Sequence, residues 1–201
     1  MAVTEKDRPW KPISPQETAA LLEGGPFLWW VEGGRAIDLF LGKQTRDHAD
    51  IDISVSRNDA LRVQGYLTGW QFFAVNPPGS LRPWKTGEVL EPPVHDIWCS
   101  RDPGCWELQL MLHEERSGKW IYRRNPEIHL PLHEAYRTGA DGLRYLRPEL
   151  QLLFKAKASR PKDHEDFARV WPMLDETQRS MLQDLIRREF PDGHPWLTPQ
   201  G

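Results

Sequence analysis

Two aspartates that alternate with isoleucines constrain this chain more than any other feature of its sequence. They lie in the stretch from His48 to Ile53, which reads His-Ala-Asp-Ile-Asp-Ile. Because residues two apart on a β-strand project from the same face, Asp50 and Asp52 are predicted to point together while Ile51 enters the core. Two adjacent carboxylates repel each other, and divalent cations relieve that repulsion. Oxygen ligands of this kind suit Mg²⁺ or Mn²⁺, so Asp50 and Asp52 are predicted metal ligands.

A pair of glycines upstream supplies the second part of the pattern. The apolar residues 27–31 predict a buried strand, Gly33 and Gly34 predict a tight turn, and residues 35–41 predict a short helix. Free N–H groups at the start of such a helix suit a triphosphate, so Gly33 and Gly34 are predicted to bind a nucleotide. Each motif alone is usually a turn or a solvated strand edge, but their order along the chain favours a nucleotide site.

Four segments of the chain resemble the nucleotidyltransferase superfamily and, more closely, its aminoglycoside 2''-adenylyltransferase-like group. They are Gly33-Gly34-Arg35-Ala36-Ile37-Asp38, His48-Ala49-Asp50-Ile51-Asp52, Trp120-Ile121-Tyr122-Arg123-Arg124 and residues 148–157. The resemblance implies an enzyme that moves a nucleoside monophosphate from a nucleoside triphosphate to an acceptor hydroxyl. It implies Mg²⁺ or Mn²⁺ as the metal, ATP as the expected co-substrate, and a small hydroxyl-bearing acceptor such as an aminoglycoside.

The resemblance also implies a third carboxylate on a later strand, where many relatives carry Asp and this chain carries Gln109. An amide cannot act as a base. Glu107 shares a predicted strand face with Gln109, so it is the predicted third catalytic carboxylate, either as a metal ligand or as the base. Asp96 is the alternative candidate. For both acidic residues a solvated surface charge is an equally good interpretation.

A basic segment, residues 155–167, is similar to the lysine-and-aspartate motif of related nucleotidyltransferases. Lys155 is thereby expected to bind the triphosphate, with Asp163 or Asp166 orienting it. The alternative is an exposed helix end that carries ion pairs. The same segment leaves open a transferase that acts on tRNA or protein, for which strongly salt-sensitive tRNA binding would be the sign. Gln109 leaves open a nucleotide- or partner-binding module without turnover.

The rest of the sequence predicts an α+β fold, a mixed sheet flanked by helices and followed by a small helical lobe. Ser14 and Pro15 predict the start of the first helix. Residues 1–146 are predicted to form the catalytic domain and residues 147–201 the C-terminal helical lobe. Further predicted elements are a helix at 57–67, strands at 71–75, 94–100, 106–113 and 119–124, a long loop at 76–93, and a last helix at 177–190.

Composition limits the other functions that the chain could have. Its 201 residues carry a formal net charge of −3, which argues against a protein whose main role is to coat nucleic acid. With no signal segment and no apolar run near 20 residues, a cytoplasmic protein without a membrane partner is expected. Cys99 and Cys105 lack a zinc-binding spacing, and Pro131 separates His129 from His133, so no metal is assigned to them.

Overall fold

The structure, a computed structural model, describes residues 5–197. This part of the chain folds into one mixed sheet with helices against it, as predicted for the α+β class. The strands are β1 (Trp29–Glu32), β2 (Asp52–Ser56), β3 (Gln71–Val75), β4 (Leu81–Pro83), β5 (Asp96–Ser100), β6 (Leu108–Arg116), β7 (Lys119–Ile121), β8 (His129–Pro131), β9 (Tyr136–Thr138) and β10 (Arg144–Leu146). The α-helices are α1 (Pro15–Leu21), α2 (Gly33–Leu41), α3 (Ala60–Tyr66), α4 (Pro148–Ala156), α5 (Pro161–Val170) and α6 (Glu176–Glu189).

The sheet places the predicted aspartate strand at its centre. Its strand order is β4-β3-β5-β6-β2-β1-β10-β9, and a short extension adds β7 to β6 and β8 to β7. Strand β2 runs antiparallel to β1 and parallel to β6. In this register Asp52 lies between Glu32 of β1 and Gln109 of β6. The chain therefore brings together three segments that are far apart in sequence.

Two apolar clusters hold the helices against the sheet. One packs α3 against β2, β3, β5 and β6, and it contains the fully buried Ile51 and Ile53, as the alternating pattern predicted. The other packs α2, α4, α5 and α6 against β1, β7, β8 and β10. The C-terminal helices share this second cluster with Trp30 and Ile37, so they bury apolar surface against the sheet itself. The division into 1–146 and 147–201 stays a prediction.

Local sequence signals predicted the start of helix α1. Ser14 forms the predicted capping box at α1, because its hydroxyl accepts the Glu17 N–H while the Glu17 carboxylate accepts the Ser14 N–H. Most other boundaries differ from the prediction by a few residues, and two of these differences concern the site. Gly33 and Gly34 form the first turn of α2 and are not a separate turn before it. Asp50 lies in the loop that leads into β2, and the strand begins at Asp52.

Four short strands were not predicted, namely β4, β8, β9 and β10. Each has only three residues, which is too short for an alternating pattern to be visible in sequence. Strand β10 pairs with β1 in parallel and with β9 in antiparallel orientation, so it extends the sheet beyond β1. Within residues 5–197 no helix is long and apolar enough to cross a membrane.

Candidate nucleotidyl-transfer site

One cavity of about 530 Å³ opens where β1, β2 and β6 begin or end beside the helices α2, α4 and α5. Five of the six predicted site residues line it, and Glu107 does not. The five are Gly33, Gly34, Asp50, Asp52 and Lys155. The structure therefore brings together the glycine pair, the aspartate pair and the lysine, which come from three separate segments of the chain.

The glycine pair is required by close approach to its neighbours. Gly33 has a φ of +71°, and a Cβ atom built on it would lie 2.0 Å from an Asp52 carboxylate oxygen. A Cβ atom on Gly34 would lie 2.3 Å from Nδ1 of His48. Any side chain at either position would displace the aspartate or its loop. The Gly33 N–H is not free, because it donates to Oε1 of Gln151 at 2.8 Å.

The aspartate pair carries negative charge that no ion pair within residues 5–197 neutralises. Enclosure in the cavity raises the pKa of Asp52 well above its usual value, and the charges of Asp50, Glu32 and Asp96 raise it further. No basic side chain of residues 5–197 forms an ion pair with Asp50 or Asp52. A buried carboxylate in such surroundings is stabilised by a cation or by protonation.

The donor set fits Mg²⁺ or Mn²⁺ under one condition. Among the described residues, no three His, Cys, Asp or Glu side chains are arranged to hold a metal ion. Mg²⁺ commonly binds proteins through one or two carboxylates and completes its shell with water and substrate phosphates. Asp50 and Asp52 meet that requirement, and the nucleotide would have to supply the remaining oxygens.

A buried hydrogen bond ties the loop of Asp50 to helix α2. Nε2 of His48 lies 2.6 Å from Oδ2 of Asp38. The other carboxylate oxygen of Asp38 accepts both the N–H and the hydroxyl of Thr45, at 3.0 and 2.7 Å. These bonds fix residues 45 to 48 immediately before Asp50. Sequence reasoning placed Asp38 and His48 in the family-like segments but assigned them no role.

Glu107 lies outside the cavity and forms an ion pair with Arg101. Its carboxylate accepts hydrogen bonds from the Arg101 backbone N–H at 2.6 Å and from the Arg101 guanidinium at 2.6 and 3.2 Å. Burial raises the pKa of Glu107, but these hydrogen bonds outweigh burial and lower it below the usual value. This placement argues against Glu107 as the third catalytic carboxylate, because its oxygens are held by the loop after β5.

Asp96, the alternative to Glu107, lies closer to the aspartate pair. It accepts a hydrogen bond from Nε2 of Gln109 at 2.8 Å, and burial raises its pKa to about 6. Asp96 does not line the cavity, whereas Gln109 does. Glu32 does line it, opposite Asp52 on β1, and burial raises its pKa. Sequence reasoning missed Glu32, although its position directly before Gly33 is a signal that could have identified it.

The predicted lysine is held by two aspartates. Lys155 is 6% exposed, and its Nζ lies 2.8 Å from Asp166 and 3.5 Å from Asp163. Arg160 binds the same Asp163 at 2.8 Å, and Arg46 approaches Asp166 at 3.5 Å. The lysine is therefore a buried, oriented cation at the cavity wall and not an exposed helix end. Arg46, Arg160 and Lys155 all line the cavity.

Comparison with known proteins supports this arrangement. Residues 16–74 match the protein-family model described as aminoglycoside-2''-adenylyltransferase, a segment that includes both glycines and both aspartates. A search of curated protein sequences gives no significant match. Several solved structures share the fold, at sequence identities that support the fold alone.

Three of these structures illustrate the similarity in fold. The solution structure of the antibiotic-resistance factor ANT(2'')-Ia has a TM-score of 0.57 at 15% identity, over 88% of this chain and 91% of that chain. The lincosamide antibiotic adenylyltransferase LnuA, with lincomycin bound, has a TM-score of 0.54 at 21% identity, over 79% and 95%. ANT(2'')-Ia in complex with adenylyl-2''-tobramycin has a TM-score of 0.55 at 14% identity, over 86% and 95%. The predicted resemblance and the nucleotidyltransferase fold are confirmed, and the predicted enzyme class is supported.

Proposed function

We propose that this protein is a metal-dependent nucleotidyltransferase that moves a nucleoside monophosphate from ATP to a hydroxyl of a small, antibiotic-like acceptor. One observation carries the proposal. Asp50 and Asp52, with no ion-pair partner among residues 5–197, share a cavity with the glycine start of α2 and with the buried Lys155. The match of residues 16–74 to the adenylyltransferase family supports ATP as the nucleotide.

The cavity residues would have different roles in the transfer. Asp50 and Asp52 would hold Mg²⁺, which when bound neutralises charge on the reacting phosphate. Gly33 and Gly34 leave room for phosphate oxygens beside the carboxylates. Lys155, oriented by Asp163 and Asp166, would stabilise the negative charge that develops on the leaving pyrophosphate. The acceptor oxygen forms a bond to the α-phosphorus as the bond to pyrophosphate breaks, and the hydroxyl proton passes to solvent water.

The proposed acceptor follows from the neighbours and from the chemistry of the cavity. The neighbouring structures hold lincomycin and adenylyl-2''-tobramycin. A hydroxyl group is the nucleophile that the proposed transfer requires. The net charge of −3 makes tRNA a less suitable acceptor than a small molecule, because RNA binding relies on basic surface.

The decisive experiment measures pyrophosphate release with Mg²⁺ or Mn²⁺. Each of the four nucleoside triphosphates is tested against aminoglycosides, lincosamides, other hydroxyl-bearing small molecules and tRNA. Asp50→Asn and Asp52→Asn should each reduce acceptor-dependent release on the order of 1,000-fold, because the metal site loses charge. Glu107→Gln is the matched control, since it removes one carboxylate outside the cavity. Wild-type turnover in Asp52→Asn would refute the proposed site.

A second function has one observation in its favour. The strand position next to Asp52 carries Gln109, and Glu107, just before β6, is held outside the cavity by Arg101, so neither of these two residues presents a carboxylate to the aspartate pair. A nucleotide-binding module without turnover would show metal-dependent ATP binding with no pyrophosphate release from any acceptor. Calorimetric titration with ATP and Mg²⁺, run beside the release assay, separates the two functions.

A further inference from the structure

His113 lies in the wall of the cavity and is not explained by the transfer chemistry. Its side chain is buried, at 6% exposure, and its ring stacks on Trp30 with centroids 4.4 Å apart. Nδ1 lies 3.0 Å from the hydroxyl oxygen of Ser54. Nε2 is buried and has no hydrogen-bond partner among the described residues. A buried polar atom without a partner costs free energy, so the atom is suited to a ligand.

The protonation of the His113 ring determines which hydrogen bond Nε2 can form with a ligand. Burial lowers the pKa of His113 to about 3, so the ring is neutral at physiological pH. The neutral ring carries one proton, and the Ser54 hydroxyl can donate to Nδ1 or accept from it. Nε2 therefore offers a ligand one hydrogen bond, as acceptor or as donor according to the tautomer.

Trp120, in the same cavity wall, carries a second polar group without a partner among the described residues, its indole N–H. Its side chain is buried, at 1% exposure, and its indole N–H is buried without a partner in residues 5–197. An indole N–H can only donate. Two residues of the cavity wall therefore each carry a buried ring nitrogen without a partner in residues 5–197, Nε2 of His113 and Nε1 of Trp120. A hydroxyl group can satisfy either of them, because it both donates and accepts.

His113 lies on the side of the cavity away from the glycine start of α2. In an in-line displacement the attacking oxygen and the leaving pyrophosphate lie on opposite sides of the α-phosphorus. The glycine start of α2 lies at the end of β1, beside Asp52. Ser54, the partner of His113, lies two residues further along β2, about 7 Å away from that end. The glycine side suits the phosphates, and the His113 side suits the nucleophile.

We propose that His113 and Trp120 recognise the acceptor, with Nε2 of His113 hydrogen-bonded to one acceptor hydroxyl and Trp120 donating to another. The acceptor would then be a molecule with several hydroxyl groups, such as a sugar-bearing compound. This inference rests on the proposed function, because it uses the direction of the transfer. It assigns to His113 and Trp120 a role in choosing the acceptor and none in the bond-making step.

The test compares wild type with His113→Phe, which retains an aromatic ring against Trp30 and removes Nε2. The KM for the acceptor should rise about tenfold, while the KM for ATP stays within twofold. His113→Asn, which restores a polar group, should recover part of the loss. A rise in the KM for ATP alone would assign His113 to the nucleotide, and unchanged values for both would leave it a packing residue. Either result would overturn the proposal.

A binding measurement keeps the test independent of turnover. Lincomycin, tobramycin and methyl glucoside are titrated into wild type, His113→Phe and His113→Asn by ligand-observed NMR, after thermal unfolding has shown that the variants fold. Weaker binding of a hydroxyl-rich probe to His113→Phe would support the inference even if the wild type released no pyrophosphate, a result that refutes only the proposed function. Equal binding to all three proteins, or none to wild type, would refute the inference.

Discussion

Asp52 and Asp163 are both enclosed aspartates in one protein, yet their surroundings shift their pKa values in opposite directions. Enclosure and the neighbouring carboxylates Asp50 and Glu32 raise the pKa of Asp52. Burial also acts to raise the pKa of Asp163, but hydrogen bonds from Arg160 and the charge of Lys155 lower it. Asp163 is therefore stabilised as an anion by the fold, whereas Asp52 requires something that the fold does not provide.

This difference distinguishes a charge that stabilises the folded protein from a charge that is available for the reaction. A buried carboxylate with cationic partners contributes to the folded state, and removal of either partner is costly. A carboxylate placed beside other carboxylates costs free energy until a cation binds. The comparison predicts that substitutions at the two positions will affect different measurements, stability at Asp163 and activity at Asp52.

The largest expected effect on stability is that of Asp163→Asn. The substitution leaves Lys155 and Arg160 with one fewer anion in a buried site, so the free energy of unfolding should fall by about 3 kcal/mol or more. Asp52→Asn should leave it unchanged or raise it, because repulsion is relieved. Urea unfolding without metal measures both variants. Equal destabilisation of the two would show that the contrast between the aspartates is wrong.

The same contrast has a pH dependence. Since the pKa of Asp163 is lower in the folded protein than its usual value of 3.8, its contribution to stability is present above that value. It is lost as the pH falls through the lower, folded-state pKa. The difference in unfolding free energy between wild type and Asp163→Asn should therefore be full at pH 6 and shrink in strong acid. A difference that grows below pH 4 would contradict the sign of the shift.

Asp38 extends the comparison, because its carboxylate has partners within the protein and also holds the loop that carries Asp50. Asp38→Asn weakens the bonds to Thr45 and His48 that hold the loop before Asp50, so kcat should fall roughly tenfold. The free energy of unfolding should fall by about 1–2 kcal/mol. Asp59→Asn, which loses only an exposed pair with Arg62, is the control. Unchanged kcat in Asp38→Asn would show that the loop needs no such support.

Glu107 gives the smallest expected effect and tests whether it belongs with the stabilising charges. Glu107→Gln weakens the bonds from Arg101, which is itself partly exposed, so we expect a loss of about 1 kcal/mol in stability. Turnover per folded enzyme should stay at the wild-type value, because the carboxylate lies outside the cavity. A large fall in kcat at full folding would restore Glu107 as the third catalytic carboxylate.

Local patterns predicted the elements that carry strong local signals. The strand at 71–75 has the predicted bounds, and the capping box of Ser14 starts α1 as expected. The start of β2 was predicted too early, because alternation does not show where hydrogen bonding to a neighbour begins. Strands β4 and β8 to β10 were missed for a related reason, since three residues carry too little pattern.

The candidate site was predictable where the residues themselves impose the chemistry. Glycines and alternating aspartates predicted a phosphate and metal site, and the cavity contains both pairs. The role of Glu107 was not predictable, because strand alternation assigns a face without giving the partner that Arg101 supplies from a loop. Glu32 was not predicted because the resemblance implies a third carboxylate on a later strand, whereas Glu32 ends β1, before the aspartates.

The sequence by itself determined the chemical content of the site, since glycine flexibility and carboxylate charge are properties of the residues. Only the tertiary structure decided which charges are neutralised. Lys155 meets Asp166 through the packing of α4 on α5, and His113 meets Ser54 across 59 residues of chain. Such pairings depend on the relative placement of separate elements, which is set by burial of the whole core and not by local pattern.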